Sequence, residues 1–146
     1  MWGSIAARNF STKRGERKRK IKRYQQILDD NPDNFRVRLK LADLLVQQGE
    51  KEKAIEEYLR VAQHFVKEEM DLKAISLYQK ILRVDPTFVD AYLALGNLYM
   101  KRGLFGDAKL QFQKILEISP NEFTAEAMLR KIEKKEKEKS AASEIK

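Results

Sequence analysis

The chain has 146 residues, no cysteine and a formal net charge of +8, a length typical of a single domain. The lack of cysteine excludes a disulfide framework. Mean hydropathy is −0.61, and no apolar run approaches the ~18 residues that a spanning helix needs. We therefore expect a soluble protein located in the cytoplasm.

The excess positive charge lies entirely at the N-terminus. Residues 1–23 hold nine Lys or Arg against one acid, whereas residues 24–146 hold 21 of each sign. We predict that residues 1–14 form a basic disordered tail on a nearly neutral body. The basic side chains that could contact an acidic protein, nucleic acid or an anionic membrane are Lys13, Arg14, Arg17, Lys18, Arg19, Lys20, Lys22 and Arg23.

Three further interpretations of the tail stay open. Trp2, Ile5 and Phe10 could insert at a membrane interface. The stretch "RNFST" (8–12) resembles a mitochondrial processing site, which makes the mitochondrion the alternative location, and "MWGS" could be a cloning remnant. Nucleic acid is the weaker partner because no stacking aromatics are interleaved with the charges. A merely solvated tail is the alternative to all of these.

The rest of the chain has the pattern of helices. Apolar residues recur at steps of three and four, no stretch alternates with the period of a strand, and the prolines are confined to three positions. The predicted helices span residues 15–29, 34–47, 51–68, 71–84, 88–101, 105–118 and 121–138. Seven helices predict an all-α fold, followed by a flexible C-terminus at 139–146.

The clearest unit is "VDAYLALGNLYMKRGLFGDAKLQFQKILEISP" at 89–120. Its landmarks are two aromatics around a Leu-Gly pair, then an Ala, an aromatic, an Ile and a closing proline: Tyr92, Leu95, Gly96, Tyr99, Ala108, Phe112, Ile115 and Pro120. This pattern resembles the tetratricopeptide repeat, a pair of helices that recurs with a fixed period. The resemblance implies a right-handed solenoid of stacked helix pairs.

Shifting the pattern by one repeat length finds weaker units upstream. Ala74, Tyr78, Ile81 and Pro86 match the second half of one unit. A fuller but weaker unit holds Leu41, Ala42, Leu45, Gly49, Ala54, Tyr58 and Val61, and Tyr24, Ile27 and Pro32 end another. We therefore predict a tetratricopeptide-like array at 15–138, with units near 15–33, 35–68, 55–88 and 89–122 and a capping helix at 121–138.

One interval breaks this period. The near copies "KAIEEY" (53–58) and "KAISLY" (73–78) stand much closer together than one repeat length. We predict that helix 51–68 is an irregular helix shared by two repeats, because a second apolar stripe (Ile55, Leu59, Ala62, Val66) widens its apolar face. The alternative is an ordinary second helix followed by an irregular insertion.

The sequence offers little for catalysis. It has one histidine, His64, and no GxSxG, phosphate-binding loop or metal-ligand spacing. His64 lies beside the buried stripe of its helix and has no partner placed to make it a general base. We expect no enzyme activity, no catalytic residue, no metal and no cofactor.

The family resemblance implies protein binding on a concave surface lined by the first helix of each pair. The predicted groove residues are Arg36, Leu39, Lys40, Asp43, Val46, Gln47, Arg60, Gln63, Lys67, Leu93, Asn97, Met100 and Lys101. Family members that bind the acidic C-termini of chaperones carry a basic residue and an Asn four residues apart. The corresponding sites here are Leu39, Asp43, Arg60, Asp90 and Ala94, of which only Arg60 could bind a carboxylate.

We therefore predict a non-catalytic adaptor or scaffold that binds a peptide or helix of another protein. This partner is not of the acidic chaperone type. The alternative function is electrostatic binding of nucleic acid or an anionic membrane through the basic tail. The interrupted array could also leave apolar surface that forms a dimer.

Overall fold

A computed structural model describes residues 2–145, with side chains described from Ile5 onward, and every regular element in this range is an α-helix. The helices are α1 (Trp2–Asp30), α2 (Phe35–Gln48), α3 (Lys51–Lys67), α4 (Asp71–Val84), α5 (Val89–Lys101), α6 (Phe105–Ile118) and α7 (Phe123–Glu144). The prediction of an all-α fold with seven helices is confirmed. Internal helix boundaries differ from the predicted ones by at most two residues.

Two end helices are longer than predicted. α1 begins at Trp2, so the prediction of a disordered tail over 1–14 is wrong from Trp2 onward, and Met1 lies outside the described residues. α7 continues to Glu144, whereas the last helix was predicted to end at residue 138. Both extensions lack proline, and lengthening an existing helix avoids the unfavourable nucleation step.

The chain divides into two compact units, Met1–Leu77 and Tyr78–Lys146, and each is described by itself. In the first unit α2 contacts both α1 and α3. Its core is formed by apolar side chains that are almost completely buried: Leu28, Leu41, Ala42, Leu45, Ala54, Ile55, Tyr58, Val61 and Ala62. Of the predicted second stripe of α3, Ile55 and Ala62 belong to this core, Leu59 is half-buried and Val66 is exposed.

In the second unit α6 contacts both α5 and α7. The core cluster consists of Ala108, Phe112 and Ile115 of α6 with Ala125 and Ile132 of α7. The α5–α6 contact is close because α5 presents a glycine there. A Cβ atom built on Gly96 would lie 2.5 Å from Cζ of Phe112, whose side chain is fully buried.

One kind of turn joins α2 to α3, α3 to α4 and α5 to α6. A residue with positive φ follows the first helix: Gly49 (83°), Glu69 (57°) and Gly103 (73°). In each turn the next residue's N–H bonds back to the carbonyl five residues earlier, as in Glu50 to Leu45 and Met70 to Phe65. This is the Schellman geometry.

A different kind of turn joins α1 to α2, α4 to α5 and α6 to α7. These turns contain Pro32, Pro86 and Pro120, and each closes with a bond from an N–H to the carbonyl three residues earlier, as in Phe88 to Asp85. In the repeat unit at 89–120, the Schellman turn lies between the two helices of the repeat. A proline turn lies at each end of the unit, between neighbouring repeats.

The α3–α4 connection therefore has the geometry of a turn within a repeat. α3 is entered and left through Schellman turns, which supports its predicted role as second helix of one repeat and first helix of the next. Only residues 68–70 separate α3 from α4, so the alternative of an irregular insertion is wrong.

We expect Gly96→Ala to destabilise the second unit by about 2 kcal/mol, because the added methyl group overlaps a ring that has no room to move. The control is Gly106→Ala in α6, where an added Cβ meets no atom within 4 Å. There the higher helix propensity of Ala should stabilise by about 0.5 kcal/mol. Denaturant unfolding followed by circular dichroism measures both, and equal effects would contradict the close-packing argument.

We expect Glu69→Gly to stabilise the first unit by about 0.5 kcal/mol, because glycine relieves the left-handed strain and loses part of that gain to backbone entropy. Glu68→Gly is the control, since Glu68 has an ordinary φ of −84° and should lose stability. Denaturant unfolding measures the stability of both variants. A loss of stability on Glu69→Gly comparable to that on Glu68→Gly would rule out strain at this turn.

Candidate functional site

The predicted groove residues of the first unit lie on α2 and α3. On α2, Leu39 and Val46 are half-buried, while Arg36, Lys40 and Gln47 are exposed. On α3, Arg60, Gln63 and Lys67 are exposed. The α2 set thus combines partly exposed apolar side chains with polar ones around them.

The side chain of Asp43 makes a hydrogen bond between two helices of the first unit. Its Oδ1 accepts a hydrogen bond from the hydroxyl of Tyr58, which projects from α3 and is almost completely buried. The bond gives this tyrosine the polar partner that a buried hydroxyl needs. Asp43 therefore contributes to the α2–α3 contact as well as to the predicted groove surface.

Arg60 lies apart from the α2 groove residues. It lines a cavity of about 400 Å³ formed by α1, α2 and α3, together with Arg38, Glu56 and Glu57. Arg38 pairs with Glu57 at 2.5 Å and donates to the carbonyl of Pro32 at 2.7 Å. Because Arg38 connects the α1–α2 turn to α3, this cavity is a structural junction. Sequence reasoning missed it, since Arg38 and Glu57 are distant in the chain.

The predicted groove residues of the second unit all lie on α5. Leu93 and Met100 are half-buried and pack in part against the core cluster of this unit. Asn97 and Lys101, between and beside them, are exposed. α5 therefore repeats the arrangement of α2, with two half-buried apolar side chains seven residues apart on one helical face.

A second cavity lies between α1 and the C-terminal half of α2. Its volume is about 440 Å³, and its lining consists of Lys13, Glu16, Arg17, Lys20, Leu44 and Gln47. This cavity brings together three residues of the predicted basic tail and one predicted groove residue. No local pattern in the sequence indicates that these two candidate sites are neighbours.

Arg17 connects α1 to the C-terminal end of α2. Its Nη1 donates a hydrogen bond of 2.6 Å to the carbonyl oxygen of Gln47 in the last turn of α2. The carbonyls of Leu45 and Val46 already accept from Glu50 and Gly49. The guanidinium thus donates to a carbonyl group at the end of α2 and places positive charge at the negative end of the helix dipole.

The remaining basic residues of the predicted tail point elsewhere. Arg14, Lys18, Arg19, Lys22 and Arg23 are exposed and line neither of the two cavities. They surround α1 on its other sides. Of the predicted basic residues, Lys13, Arg17 and Lys20 face the cavity.

The one histidine of the chain lies in an aromatic contact. His64 is half-buried and stacks on Phe35, with ring centroids 4.0 Å apart. Within residues 2–145 no group of three or more His, Asp or Glu side chains is placed to hold a metal ion. In the same range no helix is both long and apolar enough to cross a bilayer.

Comparison with known proteins points to one family. The profile of the tetratricopeptide repeat family matches residues 21–71 and 72–132. The two matches meet at the start of α4, next to the place where the repeat period is interrupted. One similar solved structure is that of MamA, with a TM-score of 0.55, 20% identity, and coverage of 93% of this chain and 82% of that one. A second is that of YrrB, with a TM-score of 0.52, 16% identity, and coverage of 88% and 74%. A third is that of the first tetratricopeptide domain of human RPAP3, with a TM-score of 0.51, 21% identity, and coverage of 76% and 98%. They show a common fold.

A curated relative is a much larger enzyme. The UDP-N-acetylglucosamine–peptide N-acetylglucosaminyltransferase of Giardia intestinalis is 30% identical over 95 residues, which is 56% of this chain and 6% of the enzyme. The chain thus spans a small fraction of that protein's length, and the similarity is to that fraction.

We expect Arg17→Ala to destabilise the first unit by about 1 kcal/mol, because it removes a charge-assisted hydrogen bond that is exposed to solvent. Arg14→Ala removes the same side chain one turn earlier, where it is exposed, and should change stability by less than about 0.5 kcal/mol. Denaturant midpoints measure both variants. Indistinguishable midpoints would exclude a capping role for Arg17.

Proposed function

We propose that this chain, which belongs to the tetratricopeptide repeat family, is a non-catalytic adaptor that binds a segment of another protein on the surfaces of α2 and α5. Stacked helix pairs of this kind present such surfaces to peptides. The curated relative is a transferase, but the matched part is 6% of it and carries no proposal of catalysis here.

The main support is the repetition of one surface on both helices. Leu39 and Val46 on α2, like Leu93 and Met100 on α5, are half-buried pairs seven residues apart. Two turns of helix separate the members of each pair by about 10 Å. This spacing fits two apolar anchors on a helical or extended partner segment.

The polar residues around these pairs suggest how a partner is oriented. Asn97 lies exposed between Leu93 and Met100, and its amide is able to donate to and accept from a peptide backbone at once. The positions at which chaperone-binding members carry a cation and an amide are Leu39 and Asp43 here. We therefore propose a partner other than an acidic chaperone C-terminus for this surface. YrrB, whose fold is similar, is a repeat protein with an unusual peptide-binding site, which is in line with a peptide partner.

The alternative function is electrostatic binding of nucleic acid or an anionic membrane through α1. Its support is the ring of exposed basic side chains around that helix. Such binding should weaken steeply with salt, since it depends on counterion release. The cytoplasmic location, with the mitochondrion as alternative, and the possible dimer remain predictions.

We expect the full chain to retain a discrete partner from a cell lysate at high salt, and Asn97→Ala to reduce that retention about tenfold, since the exposed amide is removed without disturbing the core. Leu93→Glu should abolish it, and circular dichroism checks that this half-buried site still folds. The matched control is Gln113→Ala, an exposed amide on α6. Retention that disappears at high salt, or is equally reduced by Gln113→Ala, would refute the proposal.

A further inference from the structure

We propose that the cavity between α1 and α2 binds an acidic segment of the partner protein. The inference rests on the proposed function, because it names the chemistry of part of that partner. It concerns Lys13, Arg17, Lys20, Leu44 and Gln47, which line one cavity of about 440 Å³. A volume of this size accommodates a few side chains.

The charge of the lining favours carboxylates. Three cations face the cavity with one acid, Glu16. Arg17 is partly engaged by the α2 terminus, which itself carries about half a negative charge. Lys13 and Lys20 therefore contribute most of the positive electrostatic potential in the cavity. The five basic residues on the other sides of α1 strengthen this field, since they lie within about one Debye length.

The lining favours a peptide over other polyanions. Leu44 supplies an apolar contact, and the amide of Gln47 supplies a donor and an acceptor. No aromatic side chain is among the lining residues, so a base bound inside the cavity would have no lining ring to stack on. A membrane would be contacted by Ile5 and Phe10, which are exposed on α1 but lie outside the lining of the cavity, so vesicle binding is one of the outcomes that the test below distinguishes.

The adjoining part of α1 extends this surface. α1 has 29 residues and α2 has 14, lengths of about 43 and 21 Å. Because Arg17 contacts the last turn of α2, the residues before Lys13 project beyond it. Phe10 is 65% exposed and lies seven residues before Arg17, on the same helical face. A segment longer than the cavity would therefore meet an aromatic anchor.

This site differs from the one by which chaperone-binding members hold acidic C-termini. Those positions correspond to Leu39, Asp43, Arg60, Asp90 and Ala94, and none of them lines the α1–α2 cavity. The cations here come from the helix before the first complete repeat. An acidic ligand is thus compatible with the absence of the usual cation and amide on α2.

The test measures binding of a short fluorescein-labelled peptide of Glu-Glu-Leu triplets to the full chain by anisotropy. The variant Lys13→Glu/Lys20→Glu reverses the two cavity lysines and leaves Arg17 in place. The control Lys18→Glu/Lys22→Glu makes the same charge change on the opposite side of α1. We expect the cavity variant to bind about tenfold more weakly and the control less than about threefold, since only the former reverses charge at contact distance.

Several results would overturn the inference. Absence of binding by the unaltered chain would do so, as would equal weakening by the two variants, which would indicate non-specific attraction. Tighter binding of single-stranded oligothymidine or of phosphatidylserine vesicles than of the peptide, with the same dependence on Lys13 and Lys20, would assign the cavity to another class of ligand.

The Asn97→Ala variant separates this inference from the proposed function. It should retain about tenfold less of the partner from the lysate and still bind the Glu-Glu-Leu peptide as the unaltered chain does. Loss of the peptide on Asn97→Ala would contradict a site confined to α1 and α2. Failure of partner capture with intact peptide binding would count against the α2 and α5 surfaces alone.

Discussion

The close approach of two helices at a small residue is the contact on which each unit depends. In the second unit Gly96 leaves only enough room for the ring of Phe112, and a methyl group at Gly96 would overlap it. The repeat pattern places small residues at the corresponding positions, with Ala42 equivalent to Gly96 by its place in the first unit. Dense packing makes such contacts intolerant of even one added carbon atom. The aromatic ring, the small residue opposite it and the short turn between their two helices therefore depend on one another.

The small residue is replaced at the corresponding positions of α1 and α7. One period before Ala54, the small position of α1 is Lys20, and one period after Gly96 the small position of α7 is Arg130. Both are exposed, and Arg130 lies 3.5 Å from Glu126 on its own helix. A long charged side chain thus occupies, in α1 and in α7, the position that holds a small residue in the complete repeats.

The α1 end has, in our proposal, a second role that depends on Lys20. Because Lys20 stands at the position of a small residue, the side of α1 next to α2 carries charge where other repeats carry packing. Arg17 holds α1 against the α2 terminus, and the lysines on either side of it remain directed at the cavity. The contact of Arg17 with α2 and the proposed site for an acidic segment therefore share one face of α1.

Much of this protein is determined locally and could be predicted from the sequence alone. Helix periodicity, the three prolines and the glycines at 49 and 103 act over a few residues, so six of the seven helix starts were predictable within two residues. The short interval between "KAIEEY" and "KAISLY" likewise predicted an interrupted repeat, and the turn at Glu69 agrees with a shared α3. The start of α1 was not predictable, because no local signal separates a solvated tail from a helix that simply continues. The Arg17 contact, the Asp43–Tyr58 bond and the basic cavity were decided by tertiary structure, since each joins residues that meet only after the helices have packed.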